Sequence, residues 1–269
     1  MSTNFSTLQV AVEAGVMTIT LNRPESYNAF NDAMSVELGA AIRTAERDAA
    51  VRCLLLTGAG KAFCSGQDLQ EIKDRYASPD PKQALDFAAH LRQKYNPIIT
   101  RLRTIEKPVV AAVNGVAAGA GASFAFACDI RIAARSASFV LAFVNVGLVP
   151  DSGSTQTLIQ SVGYARAAEL CFLGEKLAAE EAQRTGLINR VVDDEKLPDA
   201  ARELCRKLAS MPTKAIGLTK RALNKAWTAT LEDQLEYEAF CQQTAGNTAD
   251  HREGVNAFVE KRKPAFKGS

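Results

Sequence analysis

Apolar and polar positions change period several times along the chain. In residues 16–21 (VMTITL) apolar side chains and β-branched types alternate with polar ones, which predicts a half-buried strand. Asn22-Arg23-Pro24 breaks it. After Asn31, a good helix cap, Met34, Leu38, Ala41, Ile42 and Ala45 recur at helical spacing and form one apolar face. Cys53–Leu56 (CLLL) is too short for a helix and reads as a buried strand, ended by Thr57-Gly58-Ala59-Gly60. Residues 61–67 read as a loop leading into a polar helix over Asp68–Tyr76. Ser78-Pro79-Asp80-Pro81 is the strongest breaker and marks a surface excursion.

The alternation then resumes. Val109–Val113 (VVAAV) predicts another buried strand, Asn114-Gly115 a turn, and the small-residue run Ala117–Ala127 a helix. Ile130–Ala133 and Ser138–Leu141 predict strands, and Asp151 opens a further helix. Short buried strands alternating with helices are an α/β pattern. From about Leu197 no strand signal remains. Helices are expected over Asp199–Ala209, Thr213–Trp227, Leu231–Ala245 and Asp250–Lys261, with Asp250 and Glu253 at capping-box spacing and Pro264 as the stop. The expected division is therefore an α/β core over 1–196 and a helical region over 197–269.

Composition narrows the function. At 269 residues and 47% apolar the chain can bury a sizeable core without a metal or disulfide staple. A net charge of +2 carries no basic stripe for nucleic acid. The six cysteines form no CxxC pair and mostly sit in apolar runs, as buried thiols do. Met1–Asn4 is short and polar, and no apolar run approaches membrane-spanning length. The reading is a reduced cytoplasm and no membrane. Only His90 and His251 are present, which weighs against a zinc site or a Ser-His-Asp triad, so no metal is expected.

Two small-residue segments each follow a buried strand and open a helix: residues 63–69 (FCSGQDL) and residues 114–122 (NGVAAGAGA). Taken singly, each favours tight helix–strand packing. Converging, two helix N-termini would favour an oxyanion, because their first N–H groups lack intrahelical partners. A dinucleotide fold is the weaker rival: Gly119-Ala120-Gly121 supplies GxG, but Phe124 stands where the third glycine belongs.

Together and in this order the segments resemble the crotonase (enoyl-CoA hydratase/isomerase) superfamily. Leu21-Asn22-Arg23-Pro24 with Asn28-Ala29 is similar to its N-terminal signature. Residues 58–69 and 108–129 resemble its two oxyanion loops. Residues 147–151 (GLVPD) with Gly153 and Thr155 resemble the start of its catalytic helix, and residues 250–261 with Pro264 and Phe266 its last helix. The resemblance implies a spiral of ββα units with a C-terminal trimerisation region, assembling as a homotrimer or hexamer. It implies an acyl-CoA thioester substrate and no separate cofactor, and allows contact with a partner enzyme of the same pathway. By position, the oxyanion N–H groups would belong to Gln67 and Ala120. Coenzyme A would lie over the first loop, at Lys61, Ala62, Ser65, Gly66, Asp68 and Leu69, with Arg23 and Lys261 as phosphate candidates and Gly119 and Phe143 at the acyl end. Lys261 could come from a neighbouring subunit. Asp68 also reads as the cap of its own helix, and Ser65 has no apparent histidine partner to make it a nucleophile.

Hydratases of the superfamily use two glutamates, and the matching places here hold Ser123 and Phe143. A carboxylate stands instead at Asp151, where isomerases of the superfamily often carry an acid. On sequence alone Pro150-Asp151-Ser152-Gly153-Ser154 favours a helix cap; the family position favours acid–base work, aided by an apolar surround of Phe143, Val146, Leu148 and Val149. Residues 52–60, 63–69 and 114–122 most resemble the branch of isomerases that act on ring-epoxide CoA thioesters. The alternatives are a hydratase or other thioester reaction, and a non-catalytic acyl-CoA-binding partner protein.

Overall fold

The computed structural model describes residues 5–78, 80 and 85–269. Strands β1 (Leu8–Glu13) and β2 (Val16–Leu21) form an antiparallel hairpin. β3 (Cys53–Gly58) and β4 (Ala62–Cys64) follow helix α1 (Asp32–Arg47) and precede α2 (Leu69–Ala77). Helices α3 (Phe87–His90) and α4 (Asn96–Thr104) flank a π-helical turn over Leu91–Tyr95. The chain then repeats a strand–strand–helix unit: β5 (Val109–Val113), β6 (Val116–Ala118) and α5 (Ala120–Ala127), then β7 (Ile130–Ala134), β8 (Ser138–Val140) and α6 (Ser154–Leu173). β9 (Lys176–Ala178), α7 (Ala179–Arg184) and β10 (Arg190–Val192) close the sheets, and α8 (Leu197–Ser210), α9 (Thr213–Ala226), α10 (Leu231–Gly246) and α11 (Ala249–Val259) complete the chain.

Each unit sends its first strand to one sheet and its second to another. The large sheet runs β1-β2-β3-β5-β7-β10 and the small one β4-β6-β8-β9. β3, β5 and β7 pair in parallel, as do β4, β6 and β8. Two asparagines staple successive units. Asn114 Oδ1 accepts the Gly58 N–H (3.1 Å), and its Nδ2 donates to the Gly60 (3.0 Å) and Ala62 (3.1 Å) carbonyls. Fully buried Asn28 donates to the Ala59 and Ala62 carbonyls at 2.9 and 2.8 Å.

Packing is tight at α5, every residue of which is buried. A Cβ on Gly121 would lie 2.2 Å from the Cys64 carbonyl oxygen, so helix and strand meet backbone to backbone. This explains why the expected start at Ala117 is three residues early. Residues 116–118 belong to β6, and a run of alanine and glycine carries no period to mark the change. Residues 62–64, read as loop, form β4 for the same reason. β1 was not anticipated because its turn, Ala14-Gly15, takes positive φ at both residues (49° and 77°) without the usual Asn-Gly signal. β9, β10 and α7 are too short to show periodicity.

The C-terminal helices fall within about three residues of their expected bounds. Leu197, Ala201, Cys205 and Ala209 put one face of α8 into the core against β3, β5 and β7. The cap of α11 differs from expectation. Thr248 accepts the His251 N–H (3.1 Å), while buried Asp250 accepts the Lys267 and Gly268 N–H groups at 2.6 and 2.7 Å and Glu253 that of Ala265 at 2.7 Å. Those two acids therefore pin the terminal tail.

Lys220, 6% exposed, ties α9 to the core: its ammonium donates to Asp129 Oδ2 (2.7 Å) and the Leu102 carbonyl (2.6 Å). Burial pushes the Asp129 carboxyl up and the Lys220 ammonium down despite their attraction, so desolvation outweighs the pairing. Removing one partner strands the other. Lys220→Met is expected to cost about 3–5 kcal/mol in urea unfolding, and adding Asp129→Leu to recover part of it.

Candidate active site

The first loop, between β4 and α2, is strapped to residues 27–30. The Phe30 N–H donates to the Gly66 carbonyl (2.7 Å), the Asp68 N–H to the Phe30 carbonyl (2.9 Å), and the Ser65 N–H to the Tyr27 carbonyl (3.0 Å). This parallel bridge uses groups on either side of Gln67, so Gln67's own N–H faces away from Phe30. Asp68 caps α2, as expected, accepting the Gln70 N–H at 3.1 Å and the Glu71 N–H at 3.4 Å. Its Oδ2 also holds Arg23 at 2.9 Å, and Arg23 donates to the Ala29 carbonyl at 2.7 Å. Arg23 is thus partly engaged within the loop. Ser65 Oγ donates to the Ser26 carbonyl (3.3 Å). Ala62 is buried, whereas Lys61 and Leu69 are exposed on the loop's outer edge.

The second loop joins β6 to α5. Gly119 (φ 49°) makes the turn, with its N–H on the Val140 carbonyl at 2.8 Å. Ala120 is the first helical residue, so no carbonyl of α5 can receive its N–H. The loops touch here: a Cβ on Gly66 would stand 2.9 Å from the Ala118 carbonyl oxygen and 3.5 Å from the Ala120 nitrogen. Gly66 itself holds φ at 98°, a conformation side chains resist. Among the described residues neither the Gln67 nor the Ala120 N–H has an acceptor. Phe143 is buried, with its ring tip against Gly119. Ser123 is buried, and its hydroxyl donates to the Gly119 carbonyl at 3.3 Å.

Asp151 does not cap α6. Its backbone carbonyl accepts the Ser154 N–H (3.0 Å) and hydroxyl (2.8 Å), while Gly153 occupies the cap and makes no side-chain bond. Ser152 and Gly153 both take positive φ (55° and 77°), so α6 starts at Ser154 and the carboxyl points elsewhere. There it is costly. Asp151 Oδ1 and Ser152 Oγ are buried without a partner of ordinary geometry. Burial pushes the carboxyl above its usual range, and only the neighbouring Ser152 hydroxyl opposes this. The expected apolar surround is partly wrong. Phe143 is buried, but Val146, Leu148 and Val149 are exposed on this chain, since they ride an outer turn before Asp151. Instead Ile99 of α4 covers the acid turn, its Cγ2 3.8 Å from where a Gly153 Cβ would be.

Tyr95 closes the segment 76–95, and no motif in the sequence singles it out. It is 2% exposed, and its hydroxyl donates to Gln67 Oε1. Burial, then the charges of Cys64, Asp151, Glu71 and Asp32, hold its phenol well above the ordinary value, so it stays a neutral donor. No motif marks it, because it arrives on a π-helical turn from a segment whose sequence shows no period. Cys64, buried beneath the loop, is pushed up to about 12 and is a packing thiol. Lys261 stands two residues past α11, exposed at φ 54°, and no described contact of this chain brings it to the loops. A surface recess lies among α9, α10 and α11 and is lined by no residue of either loop.

Comparisons with known proteins bear on the family and the fold. The chain is 52% identical over 257 residues to the 1,2-epoxyphenylacetyl-CoA isomerase of Escherichia coli K12, covering 96% of this chain and 97% of that one. It is 43% identical over 265 residues to a Rhodobacter capsulatus protein named "Probable enoyl-CoA hydratase", covering 98% and 99%. The crystal structure of an enoyl-CoA hydratase from Bacillus anthracis superposes with a TM-score of 0.90 at 34% identity, covering 98% of this chain and 100% of that one. The enoyl-CoA hydratase/isomerase profile matches residues 11–269, and with the paired loops and the α/β spiral it establishes the chain as an enzyme of that family, the crotonase superfamily.

Proposed function

We propose that the chain is an acyl-CoA isomerase in which Asp151 moves a proton while the Gln67 and Ala120 N–H groups hold the thioester oxygen. What supports this is a half-buried carboxyl at Asp151, its Oδ1 buried without a partner and its charge felt at Tyr95 beside Gln67, together with two touching loops whose Gln67 and Ala120 N–H groups are unused among the described residues. Loss of a proton next to the thioester carbonyl puts charge on its oxygen, which preorganised N–H donors stabilise without rearranging. Asp151 takes the proton from one carbon and, as the acid, returns it to another, shifting the double bond. Its raised affinity for protons suits both halves. Hydratase chemistry is less well supported: Ser123 is committed to the Gly119 carbonyl and Phe143 has no acid–base group.

The finer reading follows the Escherichia coli relative, whose name gives 1,2-epoxyphenylacetyl-CoA as substrate. Conversion of that ring epoxide to oxepin-CoA, within phenylacetate catabolism in the cytoplasm, is the proposed role. Coenzyme A would cross the outer edge of the first loop at Lys61, Ala62, Ser65, Gly66 and Leu69. Arg23, and Lys261 of a neighbouring subunit, would meet its phosphates. Assembly as a trimer or hexamer is supported by exposed apolar side chains on the C-terminal helices, among them Leu231, Phe258 and Val259 at 74%, 85% and 74%. Sedimentation at the mass of three or six chains is the expected result, and Phe258→Asp should shift it toward one.

Asp151→Asn separates activity from stability. Incubated with a 3-enoyl-CoA in heavy water, wild type should isomerise it and incorporate deuterium, and the variant should be slower by about a hundredfold or more. No turnover and no exchange by wild type would end the proposal. The same variant should unfold at a higher temperature at neutral pH. A carboxyl whose proton affinity rises on folding opposes folding once ionised, and this penalty vanishes below the ordinary carboxylate range, near pH 4. The stability gap should therefore close as pH falls. Wild-type kcat/KM, which needs the ionised base, should fall on the acid side with a midpoint above that ordinary value.

A further inference from the structure

The geometry points to Tyr95 as a positioning residue that braces the Gln67 donor against the Ala120 donor and the acid turn, a role that rests on the isomerase reading above. Three contacts converge on it. Its hydroxyl holds the Gln67 side chain. Its ring packs at 5.6 Å on Phe30, whose backbone straps the Gln67 loop, and at 5.6 Å on Phe124, one turn into the helix that Ala120 begins. Phe30 and Phe124 stack on each other at 4.4 Å. Four residues on, Ile99 lies against Gly153 in the turn that follows Asp151. One short helical stretch thus contacts all three parts of the proposed machinery, and Tyr95 supplies its only polar link to Gln67 among the described residues.

A buried hydroxyl needs a partner, so the bland alternative is that Gln67 merely satisfies Tyr95. The two roles predict different kinetics. If the bond only fills a hydrogen-bond vacancy, its loss alters stability and leaves turnover alone. If it positions the loop, an untethered Gln67 lets its backbone N–H drift from the developing oxyanion, which lowers kcat and spares binding.

The test compares Tyr95→Phe, Gln67→Met and the double variant with wild type on a 3-enoyl-CoA. Each single change should lower kcat by about ten- to a hundredfold with KM within about twofold, and the double variant should fall no further than the worse single. Amide exchange of the peptide spanning residues 65–69, followed by mass spectrometry without substrate, should quicken in both single variants. Unchanged kcat, multiplicative losses, or unchanged exchange in Tyr95→Phe each overturn the assignment. So does a loss of activity that merely tracks a fall in the unfolding midpoint. An inert wild type defeats the isomerase reading instead, and the exchange measurement still decides whether Tyr95 braces the loop.

Discussion

The site depends on one close approach, the seating of α5 directly on the backbone of β4. Gly121 leaves no room for a side chain between the helix and the Cys64 carbonyl, and Gly66 presses on the Ala118 carbonyl beside the Ala120 nitrogen. These contacts bring the ends of two successive ββα units within van der Waals distance. Without them the two helix-opening loops would be separate turns, each with its N–H groups facing solvent. The asparagines at 28 and 114 hold the same junction from below, both on the Ala62 carbonyl. The parallel bridge at Phe30 then fixes which N–H of the first loop faces outward.

Around this junction the protein accepts a local cost. One carboxyl oxygen of Asp151 is buried without a partner, on a turn with a non-glycine residue at positive φ. A helix cap or an ion pair would have relieved the penalty, and arginines are available elsewhere for such pairs. The Asp129–Lys220 contact shows the contrasting solution, a buried acid supplied with an ammonium, a backbone N–H and a second helix to hold. The two aspartates differ in surroundings: Asp129 anchors α9, while Asp151 keeps an oxygen without a partner.

Most of the alternating α/β core and the C-terminal helices were legible from periodicity, because long apolar faces such as Met34 to Ala45 carry their own signal. The loops were legible as glycine-rich strand-to-helix junctions. Less visible were β4 and β6, whose three residues each are small and buried, and α4, which the site needs. Tyr95 had no motif to mark it. The cap at Asp151 was a sound inference from local composition that the backbone turn overrode.

Sequence alone determined the family resemblance, the order of the two loops, the absence of glutamates at 123 and 143, and the single acid at 151. These follow from residue identity and spacing, which a chain carries in any conformation. Tertiary structure decided that the two loops touch at Gly66 with the Gln67 and Ala120 N–H groups unused among the described residues, that Asp151 Oδ1 is buried without a partner, and that the Tyr95 hydroxyl meets Gln67. Such properties arise only when segments far apart in the chain are packed together, since desolvation and contact belong to the surroundings of a group and not to the group itself.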